Sequence, residues 1–280
     1  MAFIAMKGTF HVAGYSPDGD SIRFKAENEK NWDLMNGPRV KLNARKHAQL
    51  RFEGIDTLET HYNSFHQPLQ FGQLATDFLI EELKITDVVW DKEHGRVIQA
   101  SDGTEGYILT RSAEKYGRPV SFVFSNDVDF EDGEEIFLDA KLIKKSINYK
   151  TVKEGLAYCT FYSGLFYDLR NELAKATVKA RTESKGFWAY DRTIAGVEAD
   201  GIATALQQKY VILPKLFRRI MSYMGNGGEI SGFIDYLRAD PEPILLLSNN
   251  HFTYFHNAVS LQDNIVKMIT YPEDIVFIEI

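Results

Sequence analysis

Three short segments of this chain concentrate carboxylate and guanidinium side chains. They are Asp18-Gly19-Asp20-Ser21, the stretch from Arg51 to Glu59, and Lys115-Tyr116-Gly117-Arg118. Carboxylates supply the oxygen ligands that hard divalent cations prefer, and arginines match the geometry of phosphate oxygens. Together these groups are what a metal-assisted attack on a phosphodiester bond needs.

The positions of the acidic residues indicate how they could act together. An Asp-Gly-Asp sequence ending at Asp20 opens a predicted strand, which alone is a common turn. Asp56 and Glu59 lie just beyond another predicted strand, where the chain must turn, so both carboxylates could converge with Asp20 on one cation. Arg51 and Arg118 could serve the same site, or each could be a surface cation.

The elements that must position these residues are mainly strands. Residues 3–25 and 47–55 are rich in β-branched and aromatic side chains and are predicted to be strands, with an extended hairpin loop over 27–46. Pro68 opens a predicted helix with apolar residues at helical spacing. Further short strands are predicted at 88–90, 97–98, 107–109 and 120–124. The acidic run over 126–135 is interpreted as a solvated loop, because it lacks the ligand spacing of a calcium-binding EF-hand.

The second half of the chain is predicted to be mostly helical before it changes character. Helices are expected over 143–157 and 165–184, and Gly186-Phe187-Trp188 marks a plausible domain boundary. We therefore predict a first domain over 1–189 and an α/β extension over 190–280. The extension contains an expected helical stretch over 203–224, with a kink or a break at Pro214, and a short helix over 230–238, then a strand-like region from 244 onward.

The net charge and the cysteine count exclude some classes of protein and of site. The formal net charge of −7 argues against a protein that coats nucleic acid through a broad basic surface. It does not exclude a nuclease, because a local cationic pocket suffices for transient binding. The single cysteine, Cys159, excludes an intramolecular disulfide and a cysteine-based zinc cluster, and we expect it to be a small buried residue.

The chain shows no targeting or membrane signal. Residues 1–7 lack a basic lead-in and a sustained apolar run, so no signal peptide is predicted. No later stretch is apolar over a length that would span a bilayer. A cytoplasmic location is expected, with secretion as the alternative if a leader was removed.

The order of the motifs resembles the staphylococcal nuclease (thermonuclease-like) family. The matching motifs, in chain order, are Asp-Gly-Asp-Ser, Arg-x-x-x-x-Asp-Thr-x-Glu, Gly-x-x-Ala, Lys-Tyr-Gly-Arg, Gly-Leu-Ala and a closing Trp. The resemblance covers roughly residues 8–188. It implies an α+β fold, in which a five-stranded OB-fold β-barrel with flanking helices precedes the α/β C-terminal extension.

The resemblance also implies a calcium-dependent nuclease that cleaves DNA, RNA or both. Asp20 and Asp56 would ligate Ca²⁺ directly, Thr57 would contribute its backbone carbonyl, and Glu59 would meet the ion through water. Glu59 is also the family's usual candidate for the general base. The family products, a 3′-phosphate and a 5′-hydroxyl, are expected here.

The remaining site residues implied by the resemblance bind the substrate. Arg51 and Arg118 would hold the scissile phosphate and stabilise charge on its equatorial oxygens. Lys115 and Tyr116 match positions that contact the terminal phosphate of a bound nucleotide. Phe161 stands where the family has the first of two pocket tyrosines and could stack on a base.

The chain departs from the family pattern in three respects. Leu58 stands where the family has proline, and Ser163 stands where the family has the second pocket tyrosine, so it cannot stack on a base. Extra residues lengthen several loops. The extension over 190–280 has no counterpart in the minimal family domain, and it could serve homo-oligomerisation, regulation or substrate selection.

Two rival functions remain open. The first is a non-catalytic module that binds nucleic acid or protein through the same barrel. Such modules have lost the site residues, whereas all five charged positions implied by the resemblance are present here, which favours activity. The second is a structural or interaction protein whose C-terminal segment is the functional part.

Overall fold

The chain folds into two compact units, each assembled from two stretches of sequence. The computed structural model describes residues 2–91, 93 and 95–278. Unit 1 consists of Met1–Glu53 and Leu74–Thr151, and unit 2 consists of Gly54–Gln73 and Val152–Ile280. The domain boundary near residue 189 stays a prediction.

The strands are distributed over both units. In chain order they are β1 (Phe3–His11), β2 (Arg23–Ala26), β3 (Ala48–Gln49), β4 (Arg51–Phe52), β5 (Ile55–Thr57), β6 (Thr86–Trp90), β7 (Val97–Ser101), β8 (Thr104–Ala113), β9 (Pro119–Ser125), β10 (Glu135–Ile136), β11 (Ala157–Cys159), β12 (Phe161–Tyr162), β13 (Val197–Glu198), β14 (Pro243–Leu246), β15 (His251–Tyr254), β16 (Val259–Gln262), β17 (Ile265–Met268) and β18 (Ile275–Phe277).

The helices are concentrated in the second half of the chain. In chain order they are α1 (Leu69–Glu82), α2 (Ile147–Lys153), α3 (Tyr167–Thr182), α4 (Ile202–Gln208), α5 (Pro214–Gly225) and α6 (Phe233–Ala239). Among the helices of the described residues, none combines the length and the apolar character that crossing a bilayer would require.

The main sheet of unit 1 is a nearly closed barrel. Its strand order is β3-β2-β1-β8-β9-β4, with β10 added beside β1. Strands β3 and β4 lie at opposite ends of this order, yet only Leu50 separates them in sequence. The segment Ala48–Phe52 therefore joins both edges of the sheet. The predicted count of five strands holds only if that segment is counted as one bent strand and β10 is left aside.

Small residues make room for aromatic side chains inside the barrel. Gly8 of β1 is paired with Gly106 of β8. A Cβ atom on Gly8 would lie 2.5 Å from the Phe24 ring, and one on Gly106 would lie 2.7 Å from the Phe10 ring. The Phe10 and Phe24 rings are fully buried, with centroids 5.0 Å apart. Larger residues at either glycine would displace these rings from the core.

Two sequence predictions in this part of the chain need correction. The loop predicted over 27–46 does connect the paired strands β2 and β3, but it contains a 3₁₀ helix over Glu29–Leu34. The helix predicted over 143–157 ends at Lys153 and gives way to β11. It ends there because Gly155 has a φ of +72° and a Cβ atom on it would lie 2.4 Å from the Lys185 carbonyl oxygen.

The extension packs into the core of unit 2. The helical stretch expected over 203–224 is two helices, because α4 ends at Gln208 and α5 begins at Pro214, so residues 209–213 are not helical and Pro214 marks a break rather than a kink. Cys159 is buried as expected. One cluster of buried side chains contains Leu58, Phe71, Tyr158, Phe187 and Trp188 together with apolar residues from Val197 to Phe277. Residues after 190 therefore share one core with the end of the family-like region.

Candidate active site

Strand β5 positions the carboxylate Asp56 in unit 2. It pairs antiparallel with β11, so that Tyr158 lies opposite Asp56 and Ala157 lies opposite Thr57. Both Asp56 and Thr57 are buried. The strand ends after Thr57, and the next residue, Leu58, enters the apolar core. Burial of Leu58 anchors the turn at the position where the family has proline.

Gln67 holds the backbone of Glu59. Its N–H donates to the Glu59 carbonyl oxygen at 2.8 Å, and its side-chain Oε1 accepts the Glu59 N–H at 3.2 Å. The Nε2 of this fully buried side chain donates to the carbonyl oxygen of Ile212, two residues before α5. Gly72 lets the start of α1 approach the same turn, since a Cβ atom there would lie 2.5 Å from Cγ2 of Thr60. The position of Glu59 thus depends on Gln67, which sequence motifs did not single out.

Arg218 of α5 binds both carboxylates. Its Nη2 donates to Oδ2 of Asp56 at 2.9 Å and its Nη1 donates to Oδ1 of Asp56 at 3.2 Å. The same Nη1 also donates to Oε1 of Glu59. The exposed fractions of the three side chains are 27% for Arg218, 11% for Asp56 and 18% for Glu59. This is a bidentate guanidinium–carboxylate pair with a further carboxylate attached.

Charge compensation stabilises the Arg218 guanidinium. Burial disfavours its charged form, but the negative charges of Asp56 and Glu59 outweigh that effect and raise the pKa of Arg218 above its ordinary value. The guanidinium is therefore a permanent cation at these carboxylates. Sequence analysis missed Arg218 because it lies in the extension and belongs to no catalytic motif.

Helix α5 carries two further cations beside Arg218. Arg219 follows Arg218 directly, and Lys215 lies one turn before both arginines. Lys215 and Arg219 bind the two oxygens of Glu242 at 2.5 and 3.2 Å. A cavity of about 220 Å³ is lined by Tyr62 and these three cations. Each of the three cations has a carboxylate partner, so the cluster is internally balanced in charge.

The hairpin between β8 and β9 carries the predicted substrate-binding residues of unit 1. Glu114 accepts hydrogen bonds from Nε of Arg118 at 3.1 Å and from the main-chain N–H groups of Tyr116 and Arg118. Gly117 has a φ of +81°, which suits glycine. Lys115 and Tyr116 are exposed. The hairpin therefore presents an oriented guanidinium beside an exposed lysine and tyrosine.

Two more predicted residues lie on neighbouring elements of unit 1. Arg51 begins β4 and is paired with Val120 of β9, two residues after Arg118. The Asp20 carbonyl oxygen accepts the N–H of Phe52 at 2.9 Å. The structure thus brings the backbone of Asp20 next to β4 and brings β4 next to the strand that follows Arg118.

The ring of Phe161 is not exposed, although the predicted stacking on a base requires an exposed ring. Its side chain is fully buried, and its strand β12 is paired in parallel with β18 of the extension. A ring without exposed surface cannot stack on a base, so the expected stacking role is not supported. Packing of the extension on this strand accounts for the difference.

The donor chemistry of the carboxylates suits a cation. Carboxylate oxygens are the ligands that calcium prefers, and both Asp56 and Glu59 hold a cationic group, the guanidinium of Arg218. Within residues 2–91, 93 and 95–278, no group of three or more His, Cys, Asp or Glu side chains is arranged to hold a metal ion.

Part of the chain is similar to one known protein family. A family model described as staphylococcal nuclease homologue matches residues 49–190, which is just over half of the 280-residue chain. The match contains Arg51, Asp56, Glu59 and Arg118, whereas Asp20 precedes it. No curated protein matches the chain.

Proposed function

The chain belongs to the staphylococcal nuclease family, and we propose that it is a calcium-dependent endonuclease that hydrolyses phosphodiester bonds in DNA, RNA or both. The observation that carries this proposal is the presence of Arg51, Asp56, Glu59 and Arg118 within the matched segment. An OB-fold topology of the barrel and a cytoplasmic location belong to the same proposal.

The proposed role of the unit 1 arginines is phosphate binding. Arg118 is oriented by Glu114 through its Nε, which leaves its terminal nitrogens to bind phosphate oxygens. A guanidinium fixed in advance stabilises developing charge more effectively than one that must reorient. We propose that Arg51 binds the same phosphate and that Lys115 and Tyr116 bind a terminal phosphate of the substrate.

The proposed role of Glu59 is to accept a proton from the attacking water. Gln67 binds both the N–H and the carbonyl oxygen of Glu59. The fixed backbone limits the positions that the Glu59 carboxylate can occupy. Asp20, Asp56 and the Thr57 carbonyl would hold calcium, which when bound withdraws electron density from the phosphate. Departure of the 5′ oxygen would leave 3′-phosphate and 5′-hydroxyl ends.

A non-catalytic binding module is the second candidate function. It is favoured by one observation, the binding of Asp56 and Glu59 to Arg218. Carboxylates neutralised in this way could have a purely structural role. Arg118 of the β8–β9 hairpin would then bind nucleic acid without cleavage.

Cleavage assays on the purified full chain test the proposal. Single-stranded DNA, duplex DNA and RNA are incubated with calcium or with a chelator. Glu59→Gln and Arg118→Ala are compared with Asp235→Asn and Arg238→Ala, which alter an exposed ion pair of α6. We expect calcium-dependent cleavage, a loss of about 1,000-fold in turnover for the first two variants, and unchanged cleavage for the control variants.

Two results would count against the nuclease proposal. Cleavage by Glu59→Gln at the rate of wild type would remove Glu59 from the mechanism. Binding of nucleic acid without cleavage, by both wild type and Arg218→Gln, would instead favour the binding module. The second variant is included so that occupation of the carboxylates by Arg218 cannot mask activity.

A further inference from the structure

We infer that Arg218 is a resident cation of the Asp56–Glu59 carboxylate pair, and that a divalent cation binds Asp56 only when this guanidinium leaves it. The inference rests on the proposed function in taking Asp56 as a calcium ligand. It assigns to the C-terminal extension a direct role in controlling the site, through a single side chain of α5.

Arg218 and a calcium ion would compete for the same carboxylate oxygens. Arg218 engages both Oδ1 and Oδ2 of Asp56 and also Oε1 of Glu59. A calcium ion binds carboxylates through the same oxygens. The ion therefore cannot take both Asp56 oxygens while the bidentate pair persists.

Arg218 and a divalent cation also oppose each other through their charges. A guanidinium remains protonated at every physiological pH, so Arg218 cannot become neutral to make room for a second cation. All three side chains are largely shielded from solvent, and charges in such surroundings are screened less than charges at the surface. Arg218 and a divalent ion at Asp56 would repel each other. Binding of either one must weaken binding of the other by the same factor.

The guanidinium can leave the carboxylates while its helix stays in place. Helix α5 is held by other contacts: the Lys215–Glu242 ion pair at 2.5 Å and the hydrogen bond at 2.6 Å between the Tyr62 and Ser222 hydroxyl groups. Arg218 also borders the cavity of about 220 Å³ described above. A change of side-chain rotamer into that space would free the carboxylates without unfolding α5.

Calcium binding to the full chain, measured by calorimetry without nucleic acid, tests the inference. Arg218→Gln removes the charge, and Arg219→Gln is the matched control because the neighbouring arginine binds Glu242 instead. We expect Arg218→Gln to bind calcium at least about tenfold more tightly than wild type. Arg219→Gln should match wild type, and adding Asp56→Asn to Arg218→Gln should abolish the gain.

A second variant covers the case in which Arg218→Gln does not fold. Arg218→Lys keeps the positive charge but lacks the planar fork that binds both Asp56 oxygens. It should bind calcium more tightly than wild type and less tightly than Arg218→Gln, and calcium should raise its melting temperature more than that of wild type.

Equal calcium affinity in wild type and in whichever Arg218 variant folds would overturn the inference, as would a gain that survives Asp56→Asn. The readout does not depend on catalysis. Tighter calcium binding by Arg218→Gln without any cleavage would support the resident cation while rejecting the nuclease proposal. Cleavage of nucleic acid together with unchanged calcium affinity in the Arg218 variant would support the nuclease proposal and reject the resident cation.

Discussion

Arg118 and Arg218 illustrate two different uses of a guanidinium–carboxylate pair. Arg118 of unit 1 binds Glu114, four residues away, and keeps 38% of its side chain exposed. Arg218 of unit 2 binds Asp56 and Glu59, which are 162 and 159 residues away in sequence. The local pair orients an arginine that still faces solvent, whereas the long-range pair occupies the carboxylates and ties the extension to β5.

The structure that holds each pair in place is likewise local for Arg118 and long-range for Arg218. The Glu114–Arg118 pair depends on a tight turn, in which the Gly117 N–H donates to the Glu114 carbonyl oxygen at 2.7 Å. The Arg218 pair depends on a core that the extension completes. Damage to the extension should therefore affect the carboxylates of unit 2 directly.

The largest expected effect comes from truncation after Trp188. The deletion removes Phe217, Phe233, Phe255 and Phe277 from the core of unit 2. Truncating one buried Phe costs about 3 to 5 kcal/mol, so losing four costs about as much as the total stability of a typical domain, about 5 to 15 kcal/mol, or more. We expect unit 2 to lose cooperative unfolding, measured by denaturant titration with tryptophan fluorescence. A truncated protein with a native-like transition would show that the extension is dispensable for this core.

The next largest effect concerns the hairpin of unit 1. Arg118→Lys keeps the charge but cannot bind phosphate bidentately, so we expect turnover to fall by about 100-fold. Glu114→Gln keeps the shape but weakens the orientation of Arg118, and should lower turnover by about tenfold. Turnover at saturating single-stranded DNA is the measurement, with Arg238→Lys as the control. If Glu114→Gln were as active as wild type, the orienting role would be refuted.

An effect of comparable size, on stability rather than on turnover, is expected from Gln67→Leu in unit 2. This change leaves the Glu59 N–H and the Ile212 carbonyl without the hydrogen bonds that Gln67 provides. Unsatisfied buried groups cost about 1 to 3 kcal/mol each, so we expect the free energy of unfolding to fall by about 3 kcal/mol. Gln207→Leu, which alters a bond within α4, is the control. Urea denaturation that gave equal values for the two variants would contradict the prediction.

The smallest effect is a pH dependence that arises in unit 1. Burial, followed by the nearby charge of His11, lowers the pKa of His47 to about 4. The folded state therefore favours neutral His47, while the unfolded chain takes up a proton below pH 6.5. The contribution of neutral His47 to the free energy of unfolding is fully present above pH 6.5 and is lost as the pH falls toward 4.

We expect the free energy of unfolding to drop by about 2 kcal/mol more in wild type than in His47→Gln between pH 7 and pH 4. Denaturant titrations of both proteins at several pH values measure this difference. Parallel curves for the two proteins would exclude His47 as the source of acid sensitivity.

The amino-acid sequence by itself determined the local features of this protein. Strand β1, helix α1 after Pro68 and the break at Pro214 follow from side-chain periodicity and from the backbone limits of proline. The family was also identified from short motifs in order. Each of these signals is carried by residues close together in the chain, so none requires knowledge of the tertiary fold.

Only the tertiary structure decided what surrounds the candidate site. Phe161 is buried because β18 pairs with its strand, and Arg218 reaches Asp56 because α5 packs against β5. Helical spacing predicts which residues share one side of α5, but it does not predict which distant strand that side meets. Contacts across some 160 residues depend on how the elements pack, and that packing gave two charged residues of the predicted site a partner from the extension.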